Sequence, residues 1–318
     1  VIAVIFPGQG AQHVGMGQAL ADAFPVCRKT FAEADAALGE PLSRICFEGP
    51  EAALTLTENT QPAIVTTSVA AYRLLASRGI VPQFVAGNSL GEYSANVAAG
   101  TFAFADALRL VRRRGRYMQE AVPAGAGAMA AILGLDADAV ARACADAAEG
   151  EVVSPANLNG GGQVVIAGTA AAVARAGARA RVLGARRVIP LTVSAPFHCA
   201  LMQPAQDRLA PELRALATAD PRVPIVANVD AEPKRRAVDA IEALVAQISA
   251  PVLWEAVVRR LASEGVTTYV EVGPGNVLSG LVRKIQRDAT VIGVEQPADL
   301  EAVDALLAGG AASRPVES

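Results

Sequence analysis

Apolar runs punctuated by turn-forming residues divide the chain into an alternation of strand and helix patterns. Residues 1–6 form an unbroken β-branched and aromatic run stopped by Pro7-Gly8, which predicts a fully buried strand. Residues 61–78 predict a helix that Gly79 ends. A short strand over 84–86 then runs into Gly87-Asn88-Ser89-Leu90-Gly91, and 92–99 reads as a helix. A strand, tight turn and helix in that order is an α/β unit. After residue 194 the same rhythm predicts strands over 223–227, 267–272 and 290–294, with helices between and after them. The small and polar residues 309–318 predict a frayed tail.

The stretch between these parts has a different rhythm. A strand is expected over 128–133, and Asp136 caps a helix ending at Gly150. Strands over 152–157 and 163–167 flank a glycine-rich turn at 159–162. Thr169 caps a second helix ending at Gly184, and 187–193 is a last strand. The order βαββαβ is the ferredoxin-like pattern. The expected fold class is therefore α/β. A large body with a parallel sheet spans 1–123 and 194–318, and a small ferredoxin-like subdomain spans 124–193.

Composition agrees with this and narrows the function. A prior of about 150 residues per domain gives the 318-residue chain roughly two folding units. Hydrophobic residues make up 52%, which excludes a disordered chain, and aromatics only 4%, so the core is mostly Ala, Val, Leu and Ile. A net charge of −3 gives no global pull toward nucleic acid. No apolar stretch reaches the length of a membrane span, and residues 1–6 are too short for a signal-peptide core. The four cysteines are scattered without a CxxC pair, so neither a zinc site nor a disulfide framework is expected. Reduced thiols in the cytoplasm are the expectation. Only two histidines, His13 and His198, are available for imidazole chemistry.

Gly87-Asn88-Ser89-Leu90-Gly91 matches G-x-S-x-G, the nucleophile elbow, in which flanking glycines leave a serine exposed at a helix N-terminus. There the Leu90 N–H and the helix dipole can stabilise developing negative charge. An ordinary glycine-rich turn has the same spelling, and the strand-turn-helix context favours the elbow. His198, in Ser194-Ala195-Pro196-Phe197-His198-Cys199, lies at a strand-to-helix junction and is the better base, whereas His13 reads as a loop histidine. No aspartate is placed as a third triad member. The helix expected over 105–120 carries five arginines. At about 100° per residue, Arg109, Arg112, Arg113 and Arg116 fall on the polar side, while Arg114 falls between Leu110 and Met118 on the core side. A buried guanidinium needs a partner, either an internal carboxylate or the carboxylate of a ligand.

These features together resemble the malonyl-CoA:acyl carrier protein transacylases and the acyltransferase domains of polyketide synthases. The resemblance runs along nearly the whole chain. It is carried in order by Phe6-Pro7-Gly8-Gln9-Gly10-Ala11-Gln12, Thr60-Gln61-Pro62-Ala63, Ser89-Leu90-Gly91-Glu92, Arg114-Gly115 with Met118-Gln119, Gln163-Val164-Val165-Ile166-Ala167-Gly168, Phe197-His198 and Glu271-Val272-Gly273-Pro274-Gly275. The inserted ferredoxin-like unit also falls where that family has one.

The resemblance implies a malonyltransferase acting by a ping-pong mechanism from malonyl-CoA to the phosphopantetheine thiol of an acyl carrier protein, without a cofactor. Ser89 would be the nucleophile and His198 its base, oriented by a main-chain carbonyl at Gln247. Gln9 and Leu90 would form the oxyanion hole, and Arg114 would grip the malonyl carboxylate. Phe197 matches the malonyl-type pattern, in which a bulky ring leaves little room on the acyl α-carbon. Asn157, Asn159 and Arg187 would line the thioester channel. Arg186, Arg187, Lys284 and Arg287 are candidates to meet an acidic carrier protein. A monomer is expected. The chain departs from the family at Asn88, where a histidine is usual; asparagine cannot take a proton. Two other readings share these residues, a serine hydrolase or thioesterase with water as acceptor, and a catalytically impaired binding partner.

Overall fold

The computed structural model describes residues 1–312 and contains two sheets. Strands β1 (Ile2–Phe6), β2 (Phe84–Gly87), β7 (Ile225–Val226), β8 (Pro233–Lys234), β9 (Thr268–Val272) and β10 (Thr290–Val294) form one, in the order β10-β9-β1-β2-β7-β8. Its neighbours pair in parallel except for the two-residue edge strand β8, which is antiparallel to β7. The second sheet contains β3 (Gly127–Leu133), β4 (Val153–Gly160), β5 (Gln163–Thr169) and β6 (Arg187–Pro190), in the order β4-β5-β3-β6 with antiparallel pairing. With the Ala137–Ala147 and Ala170–Val182 helices between its strands, this is the βαββαβ arrangement.

Period-2 alternation explains why both faces of the large sheet are covered. Along β1, Val4 and Phe6 enter the core under the Thr57–Ser77, Gly91–Ala99 and Phe104–Glu120 helices, whereas Ala3 and Ile5 pack with Trp254, Val257 and Leu278 on the other face. The small sheet divides in the same way. Ala130, Ile132, Val164 and Ile166 pack under its two helices, and Met129, Ala131, Val165 and Ala167 face Phe197, Cys199 and Leu201. The latter face forms a seam between the two sheets.

Several boundaries differ from the sequence expectation. The helix expected from 61 begins at Thr57 and carries Pro62 within it. Pro62 cannot donate to a carbonyl one turn back, but residues 60–71 are buried all round, and that packing outweighs the lost bond. Strand β6 stops at Pro190; Leu191 still donates to the Met129 carbonyl, but among the described residues those at 192 and 193 make no backbone bond to β3. Strand β7 is limited to two residues by its pairing with β2. Asp136 and Thr169 do cap their helices, accepting from Ala139 N and Ala172 N, but those helices end at Ala147 and Val182, short of the glycines. The tail expected from residue 309 is helical to Ala312, and residues 313–318 lie outside the described residues.

Candidate active site

The elbow forms because two glycines let a strand, a turn and a helix pack closer than side chains permit. A Cβ on Gly91 would lie 2.0 Å from the Phe6 carbonyl oxygen, and one on Gly87 would lie 2.0 Å from the Gly91 carbonyl carbon. Between them Ser89 is held at φ 50°, in the left-handed region that L-residues rarely occupy. Such strain persists only where surrounding contacts impose it. Here the Asn88 N–H donates to the Phe6 carbonyl, the Ser89 N–H donates to Asn228 Oδ1 at 2.7 Å, and the Gly91 N–H donates to the Asn88 carbonyl. Among the described residues the Leu90 N–H meets no acceptor, and neither does the Gln9 N–H in the loop after β1. The Asn88 side chain makes no hydrogen bond among the described residues; only its backbone builds the turn.

His198 also has positive φ, 60°, and is 3% exposed. Its Nε2 lies 2.6 Å from Ser89 Oγ, and its Nδ1 lies 2.9 Å from the carbonyl oxygen of Gln247. A carbonyl only accepts, so Nδ1 carries the proton and Nε2 offers its lone pair to the serine hydroxyl. Gln247 ends the Ala237–Gln247 helix, where backbone carbonyls lack a partner within the helix. Burial first, and the nearby Arg114 charge second, push the imidazole down to about 4. It is therefore neutral, the state a base requires. His13 is elsewhere, exposed and 2.5 Å from Glu295.

Arg114 emerges from the Phe104–Glu120 helix on its core side, as the helical wheel requires, and is 2% exposed. Arg109, Arg113 and Arg116 on the same helix are exposed and pair with Asp106, Glu212 and Glu58. Arg112 is half-buried against Glu40. Arg114 pairs with no carboxylate among the described residues. Its Nη1 donates to Gln61 Oε1 at 2.9 Å, and its Nη2 to Gln247 Oε1 at 3.1 Å and Ser89 Oγ at 3.3 Å. Its guanidinium lies over the Tyr93 ring, 5.1 Å from the centroid, and its Nε is buried without a partner. Because Ser89 Oγ accepts from Arg114, its own proton is directed at His198. A buried cation with neutral partners beside an activated hydroxyl is a receptor for an anion.

These groups share a cavity of about 450 Å³ at the seam between the two sheets. Gln9, Ser89, Arg114, His198 and Phe197 line it, and so do Asn157 and Asn159 from β4. Gln247 does not line it, being fully buried behind Ser89 and His198. Arg187 starts β6 and is exposed, outside the residues that line the cavity; through Leu133 it stands in register with Gln163, which lines it. Arg186, Lys284 and Arg287 are exposed as well, and no acidic side chain pairs with them among the described residues. Arg186 lies beside Gly134, whose N–H bonds Gly162, and Lys284 lies against Gly161, so both flank the β4–β5 turn. The Val277–Ile285 helix that carries Lys284 lines the cavity through Val277, Leu278 and Leu281.

Three further buried residues complete the site: Gln61, Glu92 and Asn228. Glu92 Oε2 accepts from the Asn228 N–H at 3.0 Å and Gln247 Nε2 at 2.8 Å. Burial pushes its carboxyl up to about 7 against those two bonds. Sequence reasoning did not single out Asn228 or Glu92. The available signal was position, because Gln9, Ser89 and Asn228 follow β1, β2 and β7 at the carboxyl ends of parallel strands, where α/β sheets bind ligands. Among the described residues no helix is long and apolar enough to cross a membrane, and the four cysteines are free and buried.

Residues 3–309 match the model of the family described as acyl transferase domain. The chain is 51% identical over 302 residues to the malonyl CoA-acyl carrier protein transacylase of Escherichia coli K12, covering 94% of this chain and 97% of that protein. It is 49% identical to the Bacillus subtilis protein of the same name, covering 94% and 95%. The fold matches an acyl carrier protein S-malonyltransferase from Vibrio cholerae with a TM-score of 0.93 at 48% identity, covering 95% and 99% of the two chains. It matches equally, at 0.93 and 47% identity, a solved complex of a type II PKS acyl-carrier protein with its malonyl-transacylase, covering 95% and 98%.

Proposed function

Because the chain belongs to the acyl transferase domain family, we propose that it moves malonyl from malonyl-CoA to the phosphopantetheine thiol of a holo-acyl carrier protein through a malonyl ester on Ser89. The observation that carries this reading is Arg114, a buried cation without a carboxylate partner, donating to the same hydroxyl that bonds His198. An acyl group ending in a carboxylate supplies the missing counter-charge.

Ser89 Oγ attacks the thioester carbonyl while His198 Nε2 takes its proton, and the Gln247 carbonyl steadies the resulting imidazolium through Nδ1–H. The Leu90 and Gln9 N–H groups, free of internal acceptors, receive the developing oxyanion. As the tetrahedral intermediate collapses, the C–S bond breaks and His198 returns its proton to the departing CoA sulfur. The carrier's thiol then attacks the ester carbonyl, losing its proton to His198, and as the bond from the acyl carbon to Ser89 Oγ breaks His198 returns that proton to Oγ. Both half-reactions use groups of the protein and its two substrates, with no resident cofactor. Phe197 bounds the space beside the acyl group, and Asn157 and Asn159 line the approach of the thioester. Arg186 and Lys284, with Arg287 and the outlying Arg187, form an exposed basic margin suited to an acidic carrier protein.

In this reading residues 124–193 are a small body carried by the larger one, which their separate sheet supports. The four buried thiols suit a reducing cytoplasm, and the enzyme acts there as a monomer. The test is incubation with malonyl-CoA and either apo- or holo-carrier, followed by intact-mass analysis of both proteins. Malonyl on Ser89 and on the holo-carrier alone is expected, with no ester in His198→Ala. Release of free malonate without transfer, or ester formation in H198A, overturns the reading.

A further inference from the structure

We propose that Asn228 is a positioning residue for the nucleophile, clamping both sides of the elbow so that the Leu90 N–H is the turn's free donor. This rests on the reading of Ser89 as nucleophile and Leu90 as oxyanion donor. Asn228 follows β7, the neighbour of β2, and is fully buried. Its Oδ1 accepts from the Ser89 N–H at 2.7 Å, and its Nδ2 donates to the Gly87 carbonyl at 2.7 Å. One amide therefore joins the residues on either side of Asn88, closing the turn that holds Ser89 at positive φ.

Asn228 is itself fixed through its main chain. Its backbone N–H donates to Glu92 Oε2 at 3.0 Å, and its carbonyl accepts from the Leu253 N–H at 2.9 Å. Gln247 Nε2 adds a second donor near Oδ1, at 3.3 Å. A flipped Asn228 amide would face the Ser89 N–H with an NH₂ group and the Gly87 carbonyl with an oxygen, so only one orientation satisfies the site. At a helix N-terminus several N–H groups compete for one anion. Occupying the Ser89 N–H with Asn228 leaves the next N–H, that of Leu90, to the reacting carbonyl.

The test compares Asn228→Ala and Asn228→Asp with the wild type in single-turnover acylation by malonyl-CoA, alongside steady-state kinetics. An unpaired buried N–H and a slackened turn are expected to lower the acylation rate and kcat in N228A by about ten- to a hundredfold. KM for malonyl-CoA is expected to stay within about twofold, because Asn228 does not touch substrate. N228D is isosteric and keeps the acceptor for Ser89, but when ionised it sets an oxygen against the Gly87 carbonyl. Its neutral acid restores the donor. The N228D-to-wild-type ratio of rates is therefore expected to rise as pH is lowered from about 8.5 to about 6, since burial and the facing Glu92 raise the new carboxyl while Arg114 opposes them. Wild-type rates in N228A, or a ratio that does not change with pH in N228D, overturn the proposal while the reading of Ser89 stands. Absence of an ester on the wild type overturns that reading and the proposal with it.

Discussion

Replacing Arg114 by alanine separates recognition of the acyl group from the chemistry on it. The guanidinium is buried with five donors, of which Nε has no partner and the others meet only Gln61, Gln247 and Ser89. For a malonyl substrate, Arg114→Ala removes a charge-assisted pair worth about 1.5–3 kcal/mol, or roughly ten- to a hundredfold in kcat/KM. For an acetyl substrate it removes only the bond to Ser89 Oγ, worth about 0.5–1.5 kcal/mol. It also removes one of the two causes that depress His198, so the base becomes stronger and offsets part of that loss. The malonyl-to-acetyl ratio is therefore expected to fall by about tenfold or more, with acetyl transfer little changed or improved. The assay is single-turnover acylation of Ser89 by malonyl-CoA and acetyl-CoA in parallel, with thermal unfolding as a check of the fold. Arg114→Lys should give an intermediate ratio, because an ammonium keeps the charge without the planar fork. Equal losses with both acyl groups would refute the carboxylate role.

Three other variants probe the surrounding structure. Glu92 has its folded-state carboxyl raised from 4.5 to about 7, so its contribution to stability is complete below about 4.5 and lost as pH rises through 7. Glu92→Gln stays neutral and can keep an oxygen where Asn228 and Gln247 donate, so its stability advantage should grow between about pH 4.5 and 7 and then level off. Denaturant unfolding at several pH values measures this, and a difference independent of pH would remove the assignment. Phe197→Ser should raise the methylmalonyl-to-malonyl ratio by opening the cavity beside the acyl group; an unchanged ratio in competition assays would show that the ring does not set that limit. Gly91→Ala forces a Cβ to within 2.0 Å of the Phe6 carbonyl, a backbone atom that cannot swing aside. A loss of about 3 kcal/mol or more in stability, read from thermal unfolding, is expected, and a Tm near wild type would mean the elbow can relax.

The sequence by itself determined the parts of this protein that depend on local pattern. The β-branched run of β1, the wheel of Arg114 and the capping side chains of Asp136 and Thr169 depend on period and nearest neighbours, and each stands where the pattern puts it. So does the βαββαβ order of the small sheet. The glycines of the elbow were legible because no other residue permits the approach of Gly91 to Phe6. Pairing and convergence were left to the tertiary structure. Strand β6 stopped at Pro190 although its partner β3 extends to Gly127, Pro62 stayed within a helix that burial enforces, and Arg187 stood exposed outside the cavity lining. Asn88 shows the same division: its side chain marks a departure from the family, but the fold uses only its backbone. The network under Ser89 was the least legible part. Ser89, Glu92, Asn228 and Gln247 lie on segments up to 158 residues apart, and each hydrogen bond among them has a length and direction that no periodicity encodes. Parallel strands bring those segments to one edge of the sheet, and burial then requires every polar group there to find a partner.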